Sequence, residues 1–232
     1  KTLHLCMQEY YLDGVKRDRF LWVGDTRAEA LYNYYLFGDQ ELFRFSWKEI
    51  ASVQYADGAI PSAMGEGSSI LWDYVAWWVI AFHDYRLVTG DDAFPLRLRE
   101  NLFAAVDWLS ARAGEDGLID IPENPMPSWM IVLNKVSGRS PYLNWLYLRA
   151  LRTAHEVALL AEEPERIRHY RALVERTEVA VKKQMRETSI FEEPGLRRSS
   201  TSLYELLELL FARGEGGEAL DVIRREWGAH LD

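Results

Sequence analysis

Residues 13–25 read DGVKRDRFLWVGD, and this stretch decides how the rest of the chain is interpreted. It packs three aspartates, a lysine, two arginines and a tryptophan into a short segment with apolar helical sequence on both sides. Gly14 and Gly24 are expected to serve as backbone hinges, and apolar residues separate the charges. A run of solvated surface charge requires neither feature, so the segment is a candidate functional site.

Asp18 is the central carboxyl group of the segment, because it stands between Arg17 and Arg19. Neighbouring cations favour the ionised form of a carboxyl group, whereas burial opposes it. Such competing influences tune a carboxyl pKa for proton transfer. The residues alone leave a second interpretation open, an Asp–Arg network that pins a loop between helices, because structural ion pairs also perturb pKa values.

The spacing of these residues resembles the signature of the bacterial α-L-rhamnosidases of glycoside hydrolase family seventy-eight. That signature runs Asp-(Gly/Cys), a short spacer, Arg-(Glu/Asp)-Arg, two residues, Trp, one residue and Gly-Asp, and residues 13–25 match it with its spacings. The resemblance is sharp there and weak over most of the remaining chain. It implies an all-α catalytic domain, an (α/α)6 toroid of helical hairpins, which hydrolyses terminal α-L-rhamnosyl linkages with inversion.

The resemblance also implies roles for single residues of the segment. Asp18 takes the position of the general acid, where family members more often have Glu, and the shorter side chain reduces its reach to the glycosidic oxygen. Asp13 and Asp25 take positions that hold sugar hydroxyls. Arg17 joins the substrate-binding residues, and Trp22 lines the sugar subsite.

Two further regions contain candidate sugar contacts by the same resemblance. Trp72 and Asp73, in SSILWDYVAWWV, open a helix after a long loop. The alternative for this pair is local: Asp73 caps the helix and Trp72 packs against it. Trp129, in SWMIVLN, is a candidate stacking platform, or else it packs under its own loop. Asn134 stands about where the family has an Asp, which departs from the pattern.

Apolar periodicity predicts a chain of helices joined by alternating short and long connections. The long loops are 13–25, 55–69, 114–139 and 187–199, and the third, with three prolines and two short apolar runs, predicts a small β-hairpin excursion. The predicted helices cover about 2–12, 26–37, 39–54, 70–89, 91–113, 140–161, 164–185, 201–213 and 218–229.

A repeat underlies this order of helices. GDQELF follows Phe37 and GDDAF follows Thr89, so nearly the same turn recurs at Gly38 and Gly90. Further tight turns are predicted near Glu163 and Gly214, and helical hairpins of this kind stack because one hairpin cannot bury its own apolar face. An open solenoid and a closed toroid both fit the pattern, and the family resemblance selects the toroid.

The long loops are expected to gather at one end of the hairpins and to carry the site. With about nine helices, residues 1–232 are interpreted as part of one catalytic domain that is truncated at both ends. The remaining domains of a longer parent chain are then its expected partners.

Composition narrows the classes of partner. The formal charge of −9 argues against nucleic acid or an anionic membrane as partner, whereas nine Trp and twelve Tyr suit both a helical core and a carbohydrate site. Cys6 is the only cysteine, which excludes an internal disulfide and favours a cytoplasmic location. The histidines lack ligand spacing, so we expect no metal and no other cofactor.

An inverting glycosidase needs a second carboxylate that activates water. The family's general base is a Glu in a motif just after a segment like REWGAHLD, and the chain stops at Asp232 before any such Glu. We therefore expect the chain by itself to be inactive or badly impaired. Two alternatives stay open: another (α/α)6 enzyme that acts on uronic-acid sugars, and a non-enzymatic helical-repeat protein that binds a partner on its concave face.

Overall fold

The structure is a computed structural model that describes residues 1–16, 18–64, 69–122, 138–187 and 200–228. Within these residues it is all-α, with a few isolated β-bridges in the loops. No helix of the described part has the length and hydrophobicity needed to cross a lipid bilayer. The helices are α1 Thr2–Cys6, α2 Val23–Leu36, α3 Gln40–Ser52, α4 Trp72–Thr89, α5 Ala93–Arg97, α6 Arg99–Ser110, α7 Pro141–Leu160, α8 Pro164–Glu187, α9 Ser200–Ala212 and α10 Gly216–Trp227.

Tight turns with a left-handed residue join the helices in pairs, as the sequence predicts. Gly38 (φ 69°) separates α2 from α3, and Gly90 (φ 68°) separates α4 from α5. Glu162 (φ 54°) lies between α7 and α8, and Gly214 (φ 74°) between α9 and α10. The chain therefore forms helical hairpins, which confirms the predicted architecture.

The repeated Gly-Asp turn has the same hydrogen bonds at both of its positions. Asp39 Oδ1 accepts the backbone N–H groups two and three residues further on, both at 3.1 Å. Asp91 Oδ1 accepts the equivalent pair at 2.9 and 3.3 Å. In each copy the glycine ends one helix in the left-handed conformation and the aspartate caps the next.

The inner layer consists of the first helix of each hairpin. α4 has an uninterrupted buried run from Asp73 to Phe82, and α7 has one from Pro141 to Leu148. α4 packs against α2, α6 and α7, while α8 covers α7. A helix that is apolar on all sides must lie inside other helices, so α4 and α7 lie in the centre of the described structure.

A ring of buried charges joins four inner helices. Arg27 of α2 donates from Nε to Asp84 Oδ2 of α4 (2.9 Å) and from Nη1 to Glu205 Oε1 of α9 (3.1 Å). Arg149 of α7 bonds Glu205 Oε2 (2.6 Å) and lies 3.7 Å from Asp84 Oδ1. Each arginine thus contacts both carboxylates. Burial lowers the pKa of Arg27, but the charges of Asp84 and Glu205 outweigh this effect and raise it overall.

Two helices near the predicted site begin or end elsewhere than the sequence suggested. The predicted helix 2–12 ends at Cys6, where the chain turns back and the Leu12 N–H donates to the Cys6 carbonyl (2.9 Å). α2 begins at Val23, which places Asp25 in the first turn of a helix instead of in the preceding loop.

One predicted helix is divided. The span 91–113 forms α5 and α6, with Leu98 between them outside helical geometry (φ −106°, ψ 14°). The bounds of the remaining helices agree with the predictions within two residues.

Two of the long loops meet, because residues of the signature pair with the loop 55–69. The Val23 N–H donates to the Ser62 carbonyl (2.9 Å), and the Met64 N–H donates to the Leu21 carbonyl (3.1 Å). Ile121 and Gly138 exchange two backbone hydrogen bonds at the base of the excursion, whose interior, 123–137, lies outside the described residues.

Backbone strain at the α7–α8 turn gives a first test of this architecture. Replacing Glu162, a non-glycine residue with a left-handed φ, by glycine should stabilise the chain by about 1 kcal/mol. The melting temperature should then rise by about 2–4 °C in a thermal unfolding scan. Gly38→Ala is the matched opposite change, with open space for the added carbon, and it should lower the melting temperature. A destabilised Glu162→Gly variant would show that the backbone at Glu162 is not strained.

The charge ring gives a second test. Arg27→Met removes the guanidinium and leaves Asp84 and Glu205 buried with one fewer partner, so the free energy of unfolding should fall by about 3–5 kcal/mol in a urea titration. Arg168→Met is the control, because Arg168 pairs with Glu165 on the exposed face of α8 and should change nothing measurable. Equal effects of the two substitutions would show that the ring does not hold the helices.

Candidate active site

The signature loop closes on itself before α2 begins. The Asp13 N–H donates to the Phe20 carbonyl (3.1 Å), and the Arg19 N–H donates to the Gly14 carbonyl (3.2 Å). Arg19 has a left-handed φ of 56°, whereas neither Gly14 nor Gly24 does. The expectation that the two glycines are hinges is therefore wrong, because the positive φ falls on an arginine.

Loop closure brings the carboxyl groups of Asp13 and Asp18 together. The Asp13 carboxyl group lies within hydrogen-bonding reach of the Asp18 side chain. Burial and this hydrogen bond with Asp18 both raise the pKa of Asp13. Asp13 therefore keeps its proton to a higher pH than an isolated aspartate does.

The structure describes only one of the two arginines that flank Asp18 in sequence. Arg19 is exposed, and its Nε donates to the Val15 carbonyl (2.8 Å). Within the described residues it forms no ion pair with a carboxylate, so its expected pairing is wrong. Arg17 lies outside the described residues, and its substrate-binding role stays a prediction.

The first turns of α2 add two more carboxyl groups, Asp25 and Glu29, on one helix face. Asp25 is open to solvent, yet the protein around it raises its pKa, and the charges of Asp13 and Asp18 raise it further. The charges of Asp13 and Asp18 act on Asp25, so the three predicted aspartates lie near one another in the structure. This group of neighbouring carboxyl groups is called the acidic recess below.

Glu29 is a neighbour of this recess that the sequence analysis missed. It is hydrogen-bonded to the Cys6 thiol, while its Oε2 is buried and has no partner in the described structure. Burial, together with the charges of Asp25 and Asp13, raises the pKa of Glu29 to about 8. Glu29 lies four residues after Asp25, so a helix that begins at Val23 places both side chains on one face. The predicted helix 26–37 leaves Asp25 in the loop, and the pair is therefore missed.

Aromatic rings border the acidic recess. Trp22 is partly buried and meets the edge of Tyr74 at a centroid distance of 6.4 Å and an angle of 90°. Tyr74 in turn lies 5.3 Å from Trp77. Trp77 and Trp78 are both buried in the core.

Trp72 and Asp73 lie at the beginning of α4. Asp73 is 0% exposed, and its Oδ1 accepts the N–H of Tyr74 (3.0 Å). Trp72 meets Trp108 edge to face at 5.9 Å, with the Arg112 guanidinium 5.4 Å from its ring. The N-cap of α4 is Leu71 and has no side-chain cap, so Asp73 does not cap the helix, and Trp72 packs against α6 instead of its own helix. Sugar contacts of both residues stay predictions.

The last predicted contact, Trp129, lies outside the described residues, so its stacking role also stays a prediction. Asp73 nevertheless lies on the side of the acidic recess. Its charge and that of Asp25 both act on the Tyr74 hydroxyl between them.

Several carboxyl groups in one recess have clear chemical consequences. Burial and neighbouring charges let Glu29 keep its proton at neutral pH, and they also raise the pKa values of Asp13 and Asp25. The ionised groups accept hydrogen bonds, as the hydroxyls of a sugar require. In the described part of the chain, no set of His, Cys, Asp and Glu side chains is arranged to hold a metal ion.

Comparison with known families identifies the domain. Residues 1–211 match the model of the bacterial alpha-L-rhamnosidase six-hairpin glycosidase domain. The chain belongs to this family. Searching curated protein sequences returns no match for this rhamnosidase-family chain.

Solved structures share the fold. A rhamnosidase from Klebsiella oxytoca with rhamnose bound superposes with a TM-score of 0.81 at 20% identity, and the match covers 100% of this chain and 53% of that one. A family GH78 rhamnosidase of Bacillus sp. GL1 gives 0.70 at 18% identity, covering 99% and 29%. This rhamnosidase-family chain thus spans about half of the first relative and less than a third of the second.

The protonation of Glu29 makes stability depend on pH. Because the pKa of Glu29 is about 8 in the folded chain, above its usual 4.5, folding favours the protonated form. The resulting stability is complete below the unfolded pKa and is lost as the pH rises through the folded one.

Replacing Glu29 by glutamine should therefore weaken the fall in unfolding free energy between about pH 5 and about pH 8.5. Urea titrations at the two pH values measure this. The control is Glu165→Gln, whose side chain is 89% exposed and which should keep the wild-type pH dependence. A Glu29→Gln variant with an unchanged slope would contradict the assignment.

Proposed function

We propose that the natural gene product containing these residues hydrolyses terminal α-L-rhamnosyl linkages with inversion, and that Asp18 is its general acid. The observation that carries the proposal is the hydrogen-bonded carboxyl pair of Asp13 and Asp18 in the acidic recess. Family membership supports the reaction class, because the matched domain is a glycosidase domain.

The carboxyl pair suits the acid step of glycoside hydrolysis. A general acid must hold a proton at working pH and deliver it to the departing glycosidic oxygen. Burial and the neighbouring Asp18 raise the pKa of Asp13, so a proton is held more readily at these two carboxyl groups than at a lone aspartate. Asp18 is the donor in the proposal, and Asp13 accepts a hydrogen bond from a sugar hydroxyl once the proton has left.

The remaining residues of the recess hold the sugar. Asp25 is solvent-accessible and accepts a hydroxyl hydrogen bond in the proposal, and Trp22 offers an apolar face to the pyranose ring. We keep Arg17, Trp72, Asp73 and Trp129 as proposed contacts on the family resemblance. The resemblance assigns the general base to a Glu after residue 232, and the acid step does not depend on that assignment.

The charge of the recess favours a neutral sugar over a uronic acid. Asp13, Asp18, Asp25 and Glu29 contribute acidic groups that act on one another's protonation. A sugar carboxylate placed among them would meet like charge and would not gain a partner. Rhamnose is a neutral deoxy sugar, so its hydroxyls suit acceptor groups and its methyl group suits an aromatic border.

The leaving group tests the role of Asp18. A disaccharide needs protonation of its leaving oxygen, whereas a nitrophenolate departs with little protonic help. Asp18→Asn in the natural gene product should therefore reduce kcat/KM by roughly two to four orders of magnitude on rhamnosyl disaccharides. The reduction on nitrophenyl α-L-rhamnoside should be clearly smaller.

Asp25→Asn is the matched variant, because it removes binding that both substrates share and should lower both kcat/KM values alike. Proton NMR of the first-formed sugar anomer reports the stereochemistry. Equal losses on both substrates for Asp18→Asn would reassign Asp18 to substrate holding. A retained anomer would exclude the inverting mechanism.

A further inference from the structure

Gly24 lies where no side chain fits. A Cβ atom built on this residue would lie 2.7 Å from Tyr74 Cζ, 2.8 Å from Tyr74 Cε1 and 3.0 Å from Trp77 Cζ3. Real Cβ contacts are essentially never shorter than 3.0 Å, so the ring of Tyr74 would have to move. Since Gly24 is helical and not left-handed, the need for glycine here comes from the tyrosine ring.

The contact at Gly24 brings the hydroxyl end of Tyr74 to the acidic recess. Cζ carries the hydroxyl, and Gly24 directly precedes Asp25. Burial raises the pKa of Tyr74 most, and the charges of Asp25, Asp73 and Asp13 raise it further, in that order. The hydroxyl is therefore protonated and close to the carboxylates.

The Tyr74 ring is held on several sides, but its hydroxyl is not. The residue is only 6% exposed, with Trp22 at its edge and Trp77 beside it. Within the described part of the chain no hydrogen bond to the Tyr74 hydroxyl is found, whereas the backbone N–H of Tyr74 donates to Asp73 Oδ1. A rigid ring with an unused donor at the recess is prepared for a ligand at little cost in side-chain entropy.

We propose that Tyr74 is a substrate-contacting residue, whose hydroxyl hydrogen-bonds the sugar bound in the acidic recess, and that Gly24 is required for its approach. This inference rests on the proposed function, because the sugar is the one that function names. It gives the recess a neutral group that both donates and accepts, among carboxylates that mostly accept. The Tyr74 hydroxyl can then donate a hydrogen bond to sugar oxygens that act only as acceptors.

Tyr74→Phe in the natural gene product removes the hydroxyl and keeps the ring. Calorimetric titration with L-rhamnose should show binding weakened about fivefold to tenfold, the loss expected for one neutral hydrogen bond. The melting temperature should stay unchanged, because no hydrogen bond to this hydroxyl is found in the described part of the protein. The matched control is Tyr32→Phe, on the exposed face of α2, which should change neither quantity.

Gly24→Ala provides a second measurement through the same contact. The added methyl group displaces the ring of Tyr74, so L-rhamnose binding should weaken. In the Gly24→Ala background, Tyr74→Phe should then cost less than it does alone, because the hydroxyl has already left its place. Independent, multiplicative losses would show that Gly24 does not act through Tyr74.

The outcomes for this inference and for the proposed function are separate. Hydrolysis of α-L-rhamnosides by the wild type decides the function, and binding of L-rhamnose by the variants decides the role of Tyr74. Wild-type affinity in Tyr74→Phe, with hydrolysis intact in the parent, overturns the inference alone. A lowered melting temperature in Tyr74→Phe without weaker binding would show that the hydroxyl has a structural role. A wild type that binds no L-rhamnose would also overturn the proposed contact between Tyr74 and the sugar.

Discussion

The buried ring of Arg27, Asp84, Arg149 and Glu205 is the constraint on which the arrangement of the hairpins depends. Two cations and two carboxylates are removed from water, a step that is costly unless every charge has a partner at short distance. Each charge comes from a different inner helix, so no helix can turn or slide without leaving one unpaired. α9 and α10 also share a small apolar cluster of their own, and Glu205 ties that hairpin to the main core.

The ring and the acidic recess share helix α2. Arg27 points into the core, whereas Asp25, two residues earlier, is open to solvent. Successive positions on a helix differ by about 100° in direction, so a separation of two residues places these groups on nearly opposite sides. Helix α2 thus places the Asp25 carboxyl at the recess and the Arg27 guanidinium in the core. The charge ring that holds α2 in position therefore also holds Asp25 in position.

Opposite electrostatic rules apply on the two sides of α2. Inside, opposite charges alternate, and the pKa of Arg149 is raised overall because its carboxylate neighbours outweigh burial. In the recess, acids adjoin acids, and the pKa values of Asp13, Asp25 and Glu29 all rise. The fold uses the first arrangement for stability and the second for holding protons, which matches the need of a glycosidase for a carboxylic acid at neutral pH.

The sequence by itself determined the helical hairpins, their turns and the family, because Gly-Asp turns and the 13–25 signature depend on local chemistry. It also identified Asp13, Asp18 and Asp25 as one group. Only the tertiary structure decided which side chains meet. Asp13 and Asp18 meet across a closed loop, and Arg27 pairs with Asp84 and Glu205, which lie far along the chain. Gly24 shows the reason most clearly. The Tyr74 ring that excludes a side chain there belongs to α4, so the sequence around Gly24 cannot predict the contact.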